Sequence, residues 1–168
     1  LLITHPLKEN QIILAKFLGA MSLIVMSLIP TLFYVLIIGF LSDPAWNLDY
    51  GGIWGSYLGL ILLASSMAAI GLFSSITTDQ PLVAFLISVF LSTIAFIGFT
   101  VLSDFSLLGT WDYYFANLGL EAHYRSLGRG LIDLRDVAYF IFVDVIFLQL
   151  AGCKLAVERG RLGRVMSS

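Results

Sequence analysis

Asp144 is the one carboxylate well inside a long apolar run, eight residues beyond Asp136 and so about 12 Å further along a helix axis. A charged side chain at that depth in a membrane costs about 2.5–3.5 kcal/mol or more unless it is paired, protonated or reached by water. Three roles follow for it: a structural hydrogen bond, the lining of a cavity, or a step in proton coupling. Tyr34, and Ser92 or Thr93, are the polar groups expected at a similar depth. A relay needs several ionisable groups, and no second one stands at that level. Other chemistry is poorly provided for. His5 and His123 are the only histidines, and Cys153 is the only cysteine, so neither an intrachain disulfide nor a zinc cluster can form. No GxxxxGK[ST] phosphate loop and no nucleophile elbow occurs. Nothing in the sequence argues for making or breaking a covalent bond.

Two further constellations concern packing. Gly51, Gly55 and Gly59 are spaced four apart, and Ala64, Ala68 and Gly71 continue the small-residue pattern. Small residues at this spacing share one helix face and let a second backbone approach closely. That face serves either packing within one bundle or a seam between subunits. Residues 118–136 (LGLEAHYRSLGRGLIDLRD) alternate leucines with Glu121, Arg125, Arg129, Asp133, Arg135 and Asp136, around His123. The mix fits short amphipathic helices lying at a membrane interface. A cap anchored by local ion pairs is the simpler role for it, and a substrate gate the sharper one.

The elements that must position these residues follow from composition. Of 168 residues, 59% are hydrophobic and 12% charged, and mean hydropathy is +0.96. A soluble domain carries roughly 25% charged residues. The chain has too little charge to coat a water-exposed surface, so an aqueous globular fold is excluded. With 9 Lys+Arg against 11 Asp+Glu there is no basic stripe for nucleic acid. The expected fold class is all-α: a polytopic membrane helical bundle embedded in the lipid bilayer. Four runs approach or exceed the roughly 20 apolar residues a spanning helix needs, at about 11–41, 53–76, 82–103 and 137–157. Pro30 interrupts the first, and Pro81 is placed to open the third. The loop 104–136 is the one long connection.

Placing both ends of the chain in the cytoplasm puts Lys8, Lys16, Lys154, Arg159, Arg161 and Arg164 on that side, against Arg125, Arg129 and Arg135 on the other. The excess of cations supports that orientation. His5 and His123 then lie on opposite sides and cannot share a metal. Residues 1–11 read as the end of a cytoplasmic segment that began earlier, so a piece of a longer protein is expected.

With the spans placed, three segments become informative together. Residues 1–16 (LLITHPLKENQIILAK) resemble the entry to the third transmembrane helix of ABC type-2 exporter permeases. The closer likeness is to the gliding-motility-associated permease subunit of Bacteroidetes. Residues 55–85 resemble that subunit's small-residue span followed by a Ser/Thr-rich cytoplasmic turn, and 123–140 (HYRSLGRGLIDLRDVAYF) its outer-loop signature. The resemblance implies one permease domain whose four helices are the last four of six, in the inner membrane. It implies that this chain hydrolyses nothing and binds no cofactor, with ATP and Mg held by a separate ATP-binding subunit. Thr4, His5, Pro6, Lys8 and Glu9 would lie against that subunit, with Thr77, Thr78, Asp79 and Gln80 facing it more loosely. A second permease copy or paralogue would complete the transporter. Asp144 has no place in the family pattern. The competing functions are an ion- or proton-coupled carrier using Asp144, and a membrane anchor or assembly factor that transports nothing.

Overall fold

A computed structural model describes residues 9–44, 46–104, 118–130 and 132–165. Helix α1 (Glu9–Leu28) passes through a single 3-10 turn (Ile29–Thr31) into α2 (Leu32–Leu41). Helix α3 covers Tyr50–Thr77, and α4 (Pro81–Thr93) continues through a π-helical turn (Ile94–Gly98) into α5 (Phe99–Asp104). A short helix α6 (Leu120–Gly128) precedes α7 (Leu134–Val165). Among the described residues there is no strand. Four helical stretches are long and apolar enough to cross a membrane: Asn10–Leu41, Tyr50–Thr77, Pro81–Ser103 and Leu134–Val157.

The punctuation of these helices has local causes. Pro30 cannot donate a backbone hydrogen bond, and the tighter turn forms around it. The hydroxyl of Thr31 then donates to the Leu28 carbonyl at 2.6 Å, and shares a 2.9 Å bond with the Tyr57 hydroxyl of α3. Asp49 opens α3, its Oδ1 accepting from the Gly52 N–H at 3.1 Å. Pro81 occupies the first turn of α4, where a missing N–H costs nothing. The π turn at Ile94–Gly98 interrupts a span expected to be continuous.

Helix α3 is the centre of the bundle. Of its apolar window 33% is buried, against 6% for Asn10–Leu41 and none for Pro81–Ser103. Those two outer spans present Phe33, Ile38, Phe40, Phe85, Leu86 and Phe90 outward. In water such a surface would aggregate; facing lipid tails it is at no disadvantage. Helices α3 and α7 run in the same direction. At one end α6 joins them, where Asp136 reaches His123; toward the other, Phe73 meets Phe147 edge-on with ring centroids 5.9 Å apart. Asn10 of α1 packs against Gly152 at that second end. The two ends are named below by Asp49 and Thr78.

Candidate functional site

Asp144 lies on the face of α7 that meets α3, with Phe140 one turn before it and Phe147 one turn after. It is 9% exposed, and Ser66 is fully buried. Its carboxyl is held by two neighbours on α3: Ser65 Oγ stands 2.6 Å from Oδ2 and Ser66 Oγ 2.8 Å from Oδ1. Consecutive helical residues point about 100° apart, so the pair straddles the carboxyl as a fork. Ser65 Oγ also lies 2.7 Å from the Leu62 carbonyl of its own helix. The site sits near the middle of α3 and in the first half of α7, at the interface with the most extensive packing in the bundle.

Tyr34, Ser92 and Thr93 are not among the carboxyl's partners. Tyr34 is 66% exposed, and the Thr93 hydroxyl donates to Val89 of its own helix at 2.8 Å. The partners that sequence reasoning missed are Ser65 and Ser66. They stood in view as part of a small-residue run, and their depth in α3, close to that of Asp144 in α7, was the available signal.

Toward the Asp49 end, α6 covers this site. It packs into a groove on α3, between α7 and the π turn. Leu120 and Leu127 are buried with Phe140 against Leu62, Leu63, Met67 and Val143. The groove exists because Gly55 and Gly59 lack side chains. A Cβ on Gly55 would run into the Leu127 carbonyl oxygen, and one on Gly59 would stand 3.3 Å from Leu127 and Tyr124. Gly130 ends the segment at φ +78°, with a Cβ position only 2.8 Å from the Gly51 backbone. Only glycine combines that dihedral with that approach. Gly51, Gly55 and Gly59 thus meet this chain's own α6 and the turn after it.

The cap is pinned by polar contacts. His123 Nδ1 and Asp136 Oδ1 are 2.7 Å apart, and the Tyr139 ring stacks on the imidazole with centroids 4.1 Å apart. The Tyr139 hydroxyl donates to the Leu118 carbonyl. Phe96, within the π turn, packs against Tyr124. Of the other outer-loop residues, Arg125 pairs with Glu121 of its own helix at 2.5 Å. Asp133 accepts from the Arg135 N–H at 2.9 Å, and Arg129, Asp133 and Arg135 are exposed. Asp136 is buried, and its second oxygen, Oδ2, has no hydrogen-bond partner among the described residues.

At the Thr78 end, Thr77 and Thr78 are half-buried while Asp79 and Gln80 are exposed in the short turn between α3 and α4. The Thr78 hydroxyl accepts from the Gln80 N–H at 3.3 Å. Glu9 begins α1. Thr4, His5, Pro6 and Lys8 lie outside the described residues. Among the described residues no group of three metal-ligating side chains gathers. Comparison of the chain with family models, curated proteins and solved structures finds no match in any of the three.

Proposed function

We propose that the chain is the permease subunit of an ATP-driven ABC type-2 exporter. It would move substrate by conformational coupling to a separate ATP-binding subunit that holds ATP and Mg. The family likeness of residues 1–16, 55–85 and 123–140 suggests the class. The observation that carries the reading is the sharing of one end by Glu9, the start of α1, and the turn at 77–80. A single partner at the Thr78 end could press on both, and the push would reach α3, around which the other helices pack. The uncovered faces of α1–α2 and α4–α5 leave room for further helices or a second permease copy beside lipid. Both oxygens of the Asp144 carboxyl are engaged by this chain's own serines, which leaves neither open to coordinate a metal cation and favours this reading over a carrier coupled to one.

The test is co-purification of the full-length protein with ATP-binding subunits encoded beside it. A stoichiometric complex with ATPase activity, loosened at least tenfold in affinity by Lys8→Glu with Glu9→Lys, is the expected result. A protein that purifies alone and supports no hydrolysis defeats the reading. A role in gliding motility would show as loss of surface movement in a strain lacking the chain.

A further inference from the structure

The Asp144 fork contains one proton fewer than its contacts require if the carboxyl is ionised. Three short oxygen–oxygen contacts form the cluster: Ser65 Oγ to the Leu62 carbonyl at 2.7 Å, Ser65 Oγ to Asp144 Oδ2 at 2.6 Å, and Ser66 Oγ to Asp144 Oδ1 at 2.8 Å. A carbonyl oxygen and a carboxylate are acceptors only, and each serine hydroxyl has one hydrogen to donate. Two hydroxyl hydrogens cannot each be used once and still fill three contacts.

We infer that the buried fork of Ser65, Ser66 and Asp144 is a proton-binding site, in which Asp144 is held as the neutral acid. The count then closes. Asp144 donates from Oδ2 to Ser65 Oγ, Ser65 donates to the Leu62 carbonyl, and Ser66 donates to Oδ1. Every hydrogen has an acceptor, and the chain of bonds ends on the backbone of α3.

The surroundings point the same way. The ion pairs among the described residues are His123–Asp136 and Arg125–Glu121, both at the α6 cap, and neither involves Asp144. On α1, Lys16 is exposed. On α3 the groups facing the carboxyl are the two serines, and toward α6 they are the apolar Phe140 and its neighbours. A carboxylate buried with no cation is far more costly than a neutral acid with its hydrogen bonds filled. The inference does not depend on the transporter class of the protein.

The infrared difference spectrum between the reconstituted wild-type chain and Asp144→Asn, at neutral pH, reads the protonation state directly. A carboxylic-acid C=O band should be present in the wild type and lost in the variant, with the carboxylate bands unchanged. Loss of carboxylate bands instead would overturn the inference. Ser66→Ala gives a second reading that does not rely on the Asn variant folding. Removing the donor to Oδ1 should shift the acid band to higher frequency, in a sample made with isotope-labelled aspartate to identify it. An acid band absent from the labelled wild type, or one unmoved by Ser66→Ala, rejects the assignment to Asp144.

Discussion

At the scale of single residues, the bundle turns on how one polar group is accommodated among apolar ones. Asp144 is tolerated because two serines on the neighbouring helix meet it at hydrogen-bond distance. Hydrogen bonds between spans are worth about 0.6 kcal/mol on average and up to roughly 1.7 kcal/mol. Ser65→Ala and Ser66→Ala should therefore each lower stability by about 1 kcal/mol, measured by reversible unfolding in mixed micelles. The double variant should lose more than the sum, because it strips a buried carboxyl of both side-chain partners. Strict additivity would mean that the two serines do not act as one fork. The existence of a buried acid was legible from the sequence, since Asp144 interrupts an otherwise apolar run. Its partners were not, because any small polar residue near the same depth was a candidate until the helices were placed side by side.

Among elements, the short helix α6 shows how the glycine face is used. Gly55→Ala places a methyl group against the Leu127 carbonyl oxygen and should destabilise the protein by about 1–3 kcal/mol, the ordinary cost of overpacking. Gly19→Ala is the control, because a Cβ there meets nothing within 4 Å. At that exposed helical position alanine should be neutral or stabilising by up to about 1 kcal/mol. The same substitution thus has opposite signs at the two sites, and thermal melting of the detergent-solubilised variants distinguishes them. If Gly55→Ala melts with the wild type, α6 does not occupy the groove. The spacing of Gly51, Gly55 and Gly59 announced a close approach, but not by what. Periodicity specifies a face, whereas the occupant comes from a segment some 70 residues later in the chain. The amphipathic pattern of 118–136 was equally two-sided: buried leucines serve an interfacial helix and a docked one alike.

For the whole molecule, α7 is long and apolar enough to cross a membrane, and a spanning α7 has its two ends on opposite sides. Its 32 residues extend about 48 Å, more than the roughly 30 Å of a hydrocarbon core, so the helix projects beyond the apolar region at the Thr78 end. In sealed vesicles of the Cys153→Ser protein, an impermeant thiol reagent added outside should modify only one of Asp133→Cys and Arg161→Cys, with the other reacting only after permeabilisation. Modification of both from one side would contradict a spanning α7. Which of them faces the cytoplasm tests the orientation argued from the Lys and Arg distribution.

The amino-acid sequence by itself determined that this is a helical chain with four segments able to cross a membrane. Length and hydropathy act locally, and a backbone in lipid must satisfy its own hydrogen bonds within a helix. Pro30 and Pro81 likewise act within a turn, which is why the break in the first span and the start of the third could be read directly. Only the tertiary structure decided that Ser65 and Ser66 hold Asp144, that α6 fills the groove at Gly55 and Gly59, and that Tyr139 stacks on the His123–Asp136 pair. These are contacts between residues 13 to 79 positions apart or on different helices. Lipid presses equally on every apolar face, so it sets no helix's neighbour or rotation. Complementary shape and a few hydrogen bonds do, and those exist only once the helices have met.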